Sequence, residues 1–412
     1  MARSQDILTG MFRFEGAARV SEETYRDRTQ RAEPAYGDLL YSREGTYFGI
    51  AAEVPKETLV CLGQRMVLIR PNPLLVHFRF LRYWLNSTVL ASHIHGHRDG
   101  TVAERLNLPT IRAVPVPVPP LMQQLAIAKV LGSLDDKVEL NRQMNATLET
   151  MSCVTFKSWF VHFDPVRANT DGRQFVGLDT STAELFPNSF QDSSLGKIPM
   201  GWNSTKLSCV AELVKGVSYR SSELGKSEVA LVTLKSVARG GGYREDGLKP
   251  YRGHFKEGQR VQQGDIVIAH TDVTQAAEVL GRAARVQKPP DFTSLVASLD
   301  LVIVRPRNGS TSREFLYGLL SQEDYNKYAF GHSNGTTVLH LSHTALPNYS
   351  FPMPPDKLMN AFTNKVHPLF GQFDVNFSQS RTLAAIRNVL LPKLVSGEIG
   401  IRDVESFVGD SM

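Results

Sequence analysis

The sequence contains an internal repeat, and this repeat limits what the chain can fold into more than any other feature. GDLLYS at Gly37 recurs as GDIVIA at Gly264, and MVLIRPN at Met66 recurs as LVIVRPR at Leu301. From the second pair onward, the offset between the copies stays at 235 residues. The pairs that keep this offset are FL at 80 and 315, GHRDGT at 96 and GHSNGT at 331, PVPP at 117 and PMPP at 352, Asn141 and Asn376, and Leu148 and Leu383. The shared order and spacing predict two modules of the same fold.

Composition places the chain among ordinary globular proteins of more than one domain. Its 412 residues exceed the length that one hydrophobic core usually serves. Hydrophobic residues make up 42% and charged residues 21%, which is too apolar for general disorder. No apolar run reaches the roughly 18 residues of a membrane span, and the N-terminal stretch lacks the apolar region of a secretory signal. Three cysteines that are far apart fit free thiols, so we expect a cytoplasmic protein.

Each module is expected to mix strands and helices. GDIVIA and LVIVRP are β-branched runs bounded by Gly and Pro, which predicts short strands. FRFLRYWLNSTVLASHI and SREFLYGLLSQEDYNKYA carry apolar residues at helical spacing. A Gly-rich loop follows in each copy, and an extended Pro-rich strap then leads into a long helix. The predicted class is therefore α+β, with two similar modules related by the repeat and separated by a pair of long helices.

The two long helices carry the apolar stripe of a coiled coil. From Ile127 the stripe advances in alternating steps of four and three, and the same stripe starts at Phe362 in the second copy. A helix from Leu121 to about Val161 would be ~60 Å long. The matching stripes favour an antiparallel pair. Its predicted seam positions include Leu134, Val138, Asn141, Leu148, Leu369, Phe373, Asn376 and Leu383.

Polar residues and a proline in this seam lead to further predictions. Asn141 and Asn376 occupy equivalent layers, and a buried Asn fixes register at some cost in stability. Pro368 is expected to kink or break the second helix near its start, because proline lacks the backbone donor. Core packing alone explains most seam positions. The sharper interpretation is a ruler that sets the distance and rotation between two modules, which suits a split, linear target.

Five segments of the chain follow one another in a specific order. They are PVPPLMQQLAIAKVLGSLDDKVELNRQMNATLETM after the first strap, FKSWFVHFDPV from Phe156, LGKIPMGW from Leu195, GDIVIAHTDVTQ at 264–275 and LLPKLVSGEI from Leu390. Together they cover most of the chain, and in this order the sequence resembles the specificity (S) subunits of type I restriction–modification enzymes. The resemblance implies two target-recognition domains, each reading one half of a split duplex DNA sequence. It also implies a non-catalytic subunit of a DNA-methylating host-defence system.

The resemblance implies domain boundaries and partners as well. The boundaries are 1–118 for the first recognition domain, 119–163 for the first spacer helix, 164–194 for a linker, 195–353 for the second recognition domain, 354–397 for the second spacer helix and 398–412 for a C-terminal tail. The antiparallel spacer is expected to dock two methyltransferase (modification) subunits, and restriction subunits join in the full complex. S-adenosylmethionine, ATP and Mg²⁺ would belong to those partners. This chain is expected to hold no cofactor and to bind no membrane.

The first recognition domain is shorter than the second on its N-terminal side. The second copy has 69 residues from Leu195 to Gly264, including the IPMGW opening. The first copy has 36 residues before Gly37 and no counterpart of that opening. We therefore expect a first recognition domain that is truncated at its N-terminus, which leaves open whether the first half-site is read.

Side chains that read base edges carry paired donors and acceptors, such as Arg for guanine and Asn or Gln for adenine. Polar residues of this kind cluster just past the GD strand of each copy. The first loop has Arg43, Glu44 and Tyr47, and the second has His270, Thr271, Asp272 and Gln275. The two sets occupy equivalent places but differ in type, as expected of one scaffold that reads two sequences. Ordinary turn chemistry is the alternative.

Two further clusters contain residues that are able to contact DNA. The Gly-rich loops carry Arg98 in the first copy and Ser333, Asn334 and Thr336 in the second, and glycine permits close backbone approach to phosphates. Lys235, Arg239 and Tyr243 surround three glycines at 240–242. A structural turn and a solvated surface loop are the respective alternatives. The net charge of +5 and the pI near 9.0 permit a polyanionic partner.

Three histidines, His93, His95 and His97, alternate in HIHGH, and alternating residues of a strand share one face. A metal site is nevertheless not expected. Asp99 is the one carboxylate nearby, and the second copy keeps only His332.

The sequence lacks the motifs of the common catalytic sites. It has no Gly-x-Gly-x-x-Gly, no Walker-type Gly-x-x-x-x-Gly-Lys-[Ser/Thr] and no Asn-Pro-Pro-aromatic tetrad of amino-methyltransferases. Catalysis within this chain is therefore not expected. Two alternatives stay open: a single-chain nuclease or methyltransferase that would itself bind a metal or cofactor, and a structural coiled-coil scaffold without DNA sequence preference.

Overall fold

The computed structural model describes residues 1–7, 10–14, 17–44, 48–96, 105–273 and 277–401. The chain divides into two compact units, and each unit contains part of both long helices. Unit 1 comprises Met1–Gln143 and Phe377–Met412, and unit 2 comprises Met144–Asn376. The sequence-based boundaries treat the spacer helices as separate segments, and that division stays a prediction.

The α-helices are α1 (Glu22–Thr29), α2 (Phe78–Leu85), α3 (Thr88–Gly96), α4 (Leu108–Arg112), α5 (Leu121–Phe160), α6 (Asp164–Thr170), α7 (Thr180–Ala183), α8 (Leu207–Val210), α9 (Arg313–Leu320), α10 (Glu323–Gly331), α11 (Ala345–Asn348) and α12 (Asp356–Ser396). Within the described ranges, none of them combines the length and the apolar character that crossing a lipid bilayer requires.

The β-strands are β1 (Leu39–Ser42), β2 (Ala51–Glu53), β3 (Met66–Ile69), β4 (Phe190–Ser193), β5 (Gly196–Pro199), β6 (Asn203–Lys206), β7 (Ala211–Lys215), β8 (Val229–Val232), β9 (Lys249–Pro250), β10 (Arg260–Val261), β11 (Ile266–Ala269), β12 (Thr271–Asp272), β13 (Ala283–Arg285), β14 (Ser294–Ala297), β15 (Leu301–Pro306), β16 (Ser333–Asn334), β17 (Leu339–Leu341) and β18 (Ser350–Met353). The predicted α+β class is confirmed.

The sequence repeat is a structural repeat down to strand register. Unit 1 contains an antiparallel sheet of order β2-β1-β3, and unit 2 contains one of order β13-β11-β15-β7. Leu39 lies opposite Ile69 in the first sheet, and Ile266 lies opposite Val304 in the second. These four residues keep the sequence offsets of 227 and 235, so the two sheets are built on one plan.

The helices that follow each sheet repeat with the same offset. α2 and α9 begin 235 residues apart, as do α3 and α10 and also α5 and α12. Phe80 and its counterpart Phe315 are fully buried in the cores of their units. Ser312 accepts a hydrogen bond from the N–H of Phe315 and so caps α9. The apolar residues at helical spacing therefore mark the faces that pack on the core.

A paired Asp and Arg explain why the GD and RP motifs recur together. Asp38 is buried beside β1, and its carboxylate lies 2.6 Å from the guanidinium of Arg70. Asp265 is buried beside β11, and its carboxylate lies 2.8 Å from the guanidinium of Arg305. Each Asp also accepts a backbone N–H three residues upstream, which fixes the turn into the strand. The motif is thus a structural ion pair that joins the strand start to its neighbour.

In unit 1 the two long helices run antiparallel. The Asp135 carboxylate accepts a hydrogen bond of 2.6 Å from Arg387, and Asn141 donates one of 2.8 Å to Gln379. As the chain advances from 135 to 141, its partner position goes back from 387 to 379, so the directions are opposite. The apolar core of this part is formed by Ile127, Leu131, Leu134, Leu383, Leu391 and Leu394, with Phe80 of α2 against it.

In unit 2 the remaining parts of the helices also run antiparallel. The buried Asn376 donates a hydrogen bond of 3.0 Å to Asn145, and Asn145 donates one of 3.2 Å to the carbonyl of Phe373. Farther along, the rings of Phe156 and Phe362 lie 5.6 Å apart. The seam asparagines thus bond to polar groups of the opposite helix, as burial of amide groups requires. Leu148, Leu369 and Phe373 are only partly buried.

The second long helix is not broken at Pro368. α12 continues from Asp356 to Ser396 through this residue. A proline inside a helix costs about 3 kcal/mol. Phe362, Val366 and Phe370 on either side are buried in the core of unit 2, and their burial offsets this cost. The expectation of a break was wrong because tertiary packing overrides the local preference.

Candidate nucleic-acid interface

In unit 2, the polar residues after β11 are held by bonds inside the protein. His270 is buried, and its ring stacks on that of His343 with centroids 5.3 Å apart. The Thr271 hydroxyl donates a hydrogen bond of 2.9 Å to the Asp300 carboxylate. Both side chains therefore shape the loop, and a direct contact of either one with DNA stays a prediction.

Asp272 has a similar internal role. Its buried carboxylate accepts hydrogen bonds from the N–H groups of Val279 (2.6 Å) and Leu280 (2.9 Å). These bonds tie the two ends of the loop together. Gln275 at the tip lies outside the described residues. Asp272 is thus placed to position the loop, as an unpaired carboxylate at this depth would be costly.

The loop after β11 and the Gly-rich loop are neighbours in space, although about sixty residues separate them in sequence. A small antiparallel sheet of order β12-β17-β16 joins them. Thr271 lies opposite His340, and His340 lies opposite Asn334. Asn334 and Thr336 are exposed, whereas the Ser333 hydroxyl donates to the carbonyl of Phe330. Two predicted clusters therefore form one surface.

Glycine is required at the turn of this surface. Gly335 has φ +115°, and a Cβ there would lie 2.1 Å from the carbonyl oxygen of Val338. A side chain at this position clashes with backbone, so the turn keeps one shape. The neighbouring Asn334 and Thr336 are therefore presented on a defined backbone.

The third predicted cluster joins the same region through backbone hydrogen bonds. The N–H of Gly240 donates to the carbonyl of Glu278, and the N–H of Gly242 donates to that of Ala283, both at 2.9 Å. The Arg239 guanidinium lies 3.1 Å from the Glu278 carboxylate. The triple-glycine turn is thus anchored beside the end of the loop that starts at His270.

Within this cluster, Lys235 and Tyr243 have different environments. Lys235 is exposed on a 3₁₀ turn. Tyr243 is partly buried and packs against the core formed by Val267, Ala284 and Leu295. Tyr243 therefore supports the turn from inside, and Lys235 is the member free to face a ligand's phosphates.

Histidine and lysine side chains give this region its electrostatic character. Burial, followed by the nearby His343, Lys215 and His340, lowers the pKa of His270 to about 4. His270 is therefore neutral near pH 7. His332 is exposed next to the small sheet and accepts or donates at its ring nitrogen opposite the Tyr328 carbonyl, 2.8 Å away.

Unit 1 has the same joint with different side chains. Glu44 forms a β-bridge with Arg105, which keeps the offset of 235 from His340. The Glu44 carboxylate also lies 3.3 Å from the Arg65 guanidinium. Arg43 is partly exposed just before this bridge. Tyr47 and Arg98 lie outside the described residues.

The joint itself is made by main-chain atoms in both copies. In unit 1, the N–H of Leu106 donates to the carbonyl of Arg43 at 2.8 Å. In unit 2, the N–H of Leu341 donates to the carbonyl of His270, also at 2.8 Å. Leu341 follows Leu106 at the offset of 235. One backbone arrangement thus carries two different sets of side chains.

Known proteins agree with this architecture. The model of the family described as "Type I restriction modification DNA specificity domain" matches residues 9–150. The HindI specificity subunit of Haemophilus influenzae is 26% identical, with 88% of this chain and 86% of that protein covered. The MjaIX specificity subunit of Methanocaldococcus jannaschii is 24% identical, with 94% and 83% covered. The chain belongs to the family of type I restriction–modification specificity subunits.

A solved specificity-subunit structure also aligns with the chain. The type I S subunit from M. genitalium covers 88% of this chain and 83% of its own, with 17% identity and a TM-score of 0.43.

Sequence reasoning missed three residues of the interface in this specificity subunit. Arg105 and His340 hold the centre of the joint, and His343 stacks on His270. The signal was present, because the offset of 235 relates Arg105 to His340 and both residues follow the Gly-rich loop. The equivalence was followed only as far as Thr336, so the return strand was not included.

The HIHGH stretch does not lie on a strand. His93 and His95 belong to α3, where alternating residues point to different sides of the helix. His97 and Asp99 lie outside the described residues. Among the residues that the structure describes, no three His, Cys, Asp or Glu side chains are grouped to hold a metal ion.

Proposed function

We propose that this chain is the non-catalytic DNA-recognition subunit of a type I restriction–modification complex and that it reads a bipartite duplex target. The observation that carries the proposal is the repeated joint. Glu44 and Arg105 in unit 1 and Thr271 and His340 in unit 2 occupy the same places on one backbone scaffold. Side chains that differ on a shared scaffold are what two readers of different half-sites need.

Exposed residues around each joint supply the chemistry of DNA reading. Asn334 presents an amide, which can pair with adenine in the major groove, and Thr336 adds a hydroxyl. Lys235 and Arg239 offer cations for phosphates beside them. In unit 1, Arg43 is placed to contact guanine. The buried His270, Thr271 and Asp272 hold the unit 2 surface in shape for this contact.

The long helices supply a surface for partner subunits. Within unit 2, Met144, Met151 and Val154 of α5 are 38%, 50% and 59% exposed and recur at helical spacing. An apolar stripe of this kind is typical of a surface that another protein covers. We infer that two methyltransferase subunits dock on the helices and that restriction subunits join them. S-adenosylmethionine, ATP and Mg²⁺ would act in those partners.

Selection of bound duplexes from a random DNA library tests the proposal. The chain is co-expressed with its neighbouring methyltransferase subunit and used at near-physiological salt, because phosphate contacts make binding salt-dependent. We expect a split motif with a fixed gap. A single half-motif would mean that only one unit reads DNA. No enrichment from an intact complex would refute recognition by this chain.

Asn334→Ala and a matched control assign one half of the motif to unit 2. Loss of a bidentate amide contact costs about 1–3 kcal/mol at one base pair. Asn334→Ala should therefore relax one position of one half-site and leave the other half unchanged. Asn188→Ala, an equally conservative change at an exposed residue outside the interface, should leave both halves unchanged.

A further inference from the structure

Unit 1 has an open sheet edge where unit 2 has a fourth strand. In unit 2, β7 pairs with β15, so that Val214 lies opposite Ile303. β3 is the counterpart of β15, and within the described ranges no residue pairs with its outer edge. Val302 and Val304 are buried, whereas their counterparts Val67 and Ile69 are only partly buried. The edge of β3 is therefore open to a further strand.

The backbone groups at this edge can be identified. The carbonyl of Arg65 accepts from the N–H of Arg43, so Arg65 faces β1. Successive residues of a strand face opposite sides, so Met66 and Leu68 direct their N–H and C=O groups away from β1. In unit 2, the carbonyl of Leu301, the counterpart of Met66, accepts from Gly216 next to β7. The same hydrogen-bonding groups thus wait at the β3 edge.

The Pro-rich strap of unit 1 is open in the same way. In unit 2, β18 pairs along its whole length with β6. The counterpart of β18 is PVPV at 115–118, which is extended and pairs with no strand among the described residues. Val118 is 56% exposed. Phe351 in β18 is buried, whereas its counterpart Val116 is only partly buried.

An apolar groove in unit 1 is the third uncovered place. It has a volume of about 850 Å³ and is lined in part by Phe14, Leu59 and Cys61. Leu59 is 79% exposed and Phe14 is 52% exposed. In unit 2, the counterpart of Cys61 is Val296, whose cluster is covered by Val217, Tyr219 and Leu224. The groove therefore corresponds to a surface that unit 2 buries.

One continuous stretch of unit 2 covers all three places. Residues 203–219 contain β6, α8, β7 and the side chains of Val217 and Tyr219. We propose that unit 1 binds, in trans, a segment of another polypeptide with the chemistry of residues 199–219. Such a segment consists of a strand against the strap, one helical turn, a strand against β3 and an apolar end in the groove. The recognition mode is the addition of a strand to a sheet edge.

The pattern of apolar residues in residues 199–219 defines the partner's chemistry. Trp202, Leu207 and Val210 are buried in the core of unit 2. The N–H of Leu207 donates to the carbonyl of Tyr349, which fixes the turn between the two strands. A partner segment therefore needs apolar residues at these spacings and free backbone donors on both strands. This inference does not depend on DNA reading.

Binding of a synthetic peptide to the full chain tests the inference without DNA. The peptide has the sequence of residues 199–219 with Cys209→Ser and a fluorescent label, and anisotropy measures its affinity. We expect a Kd on the order of 10 µM, typical of short segments that fold on binding. Hydrogen exchange should slow at Met66 and Leu68, whose N–H groups face the edge. A scrambled peptide should not bind.

A pair of valine variants provides the matched control. Val118→Asp places a charge on the strap at a residue that is already 56% exposed, so folding is retained. It should weaken peptide binding about tenfold, since a charge must then be covered. Val375→Asp makes the same change at a residue of α12 that is 60% exposed, and it should leave the affinity within about twofold.

Three outcomes would overturn the inference. The first is no binding up to millimolar peptide, and the second is equal binding of the scrambled peptide. The third is protection in unit 2 instead of at β3. Self-association of the chain through β3, which the peptide does not compete away, would show that a second copy occupies the edge and would also overturn it. DNA selection is independent of each result, so the two proposals can fail separately.

Discussion

Units 1 and 2 share a three-stranded sheet, two helices and a backbone joint, but they differ in what surrounds these parts. Unit 2 covers the outer strand with β7 and closes its strap with β6, whereas the same places in unit 1 are open among the described residues. The shared parts are those in which main-chain hydrogen bonds and a buried ion pair fix the geometry. The scaffold thus depends on few interactions, and the surrounding layers can differ.

The buried aspartates show the same contrast in one residue. Asp38 meets one guanidinium, that of Arg70, which is 55% exposed. Asp265 meets two, those of Arg305 and Arg313, and Arg305 is only 21% exposed. Removing Asp265 leaves a cation in a poorly solvated place, whereas water can replace Asp38 at Arg70. The comparison predicts unequal costs for equivalent substitutions.

Asp265→Ala should have the largest effect. We expect it to lower the free energy of unfolding by about 3 kcal/mol, against about 1–2 kcal/mol for Asp38→Ala, because a buried pair loses one member in unit 2. Urea unfolding followed by circular dichroism measures both. Equal losses in the two variants would show that the exposure of the arginines does not decide the cost.

His270 provides the next test, since unit 1 has Arg43 at the equivalent place. The pKa of His270 is lowered to about 4 from an ordinary value of 6.5, chiefly by burial. The unfolded chain therefore takes up a proton between pH 6.5 and 4 that the folded chain does not. Stability is complete above pH 6.5 and falls by about 2 kcal/mol as the pH decreases to 4.

His270→Gln should remove this part of the acid sensitivity. The difference in unfolding free energy between the wild type and the variant is measured at pH 7, 5.5 and 4. It should shift in favour of the variant as the pH falls. A constant difference across this range would show that the ring is accessible to protons in the folded state.

Gly318 distinguishes the helix packing of the two units. A Cβ at Gly318 would lie 2.4 Å from the ring of Phe156, whereas the counterpart of Gly318 in unit 1 is Tyr83. Gly318→Ala forces the helix and ring apart and should cost about 1–2 kcal/mol. The matched change Gly371→Ala, which meets no atom within 4 Å in a helix of the same unit, should be neutral or stabilising. Thermal unfolding of both variants decides, and an unchanged melting temperature for Gly318→Ala would contradict the tight contact.

Much of the fold could be predicted from the sequence because it is encoded twice. Gly and Pro bounded the strands around Leu39 and Ile266, and the seam periodicity predicted the long helices. Asn141 and Asn376 are buried in those helices, where the stripe placed them. Pro368 was the exception, since local propensity is weaker than the burial of three large side chains beside it.

The interface was harder to predict than the fold. A polar residue in a short loop has the same sequence pattern whether it faces solvent or satisfies a backbone donor. Asp272 and Tyr243 were grouped with exposed residues for this reason, although one binds two N–H groups and the other packs on the core. Arg105 was missed because its partner Glu44 is distant in sequence, and a pairing between distant residues is set by tertiary structure.

The backbone joint between Arg43 and Leu106 and between His270 and Leu341 has a consequence for evolution. Every non-proline residue supplies the same N–H and C=O groups, so mutation of the side chains at this joint leaves its hydrogen bonds in place. New variants can therefore alter the presented chemistry at little cost to folding. A lineage under changing selection can then diversify one half of the molecule while the other half is inherited unchanged.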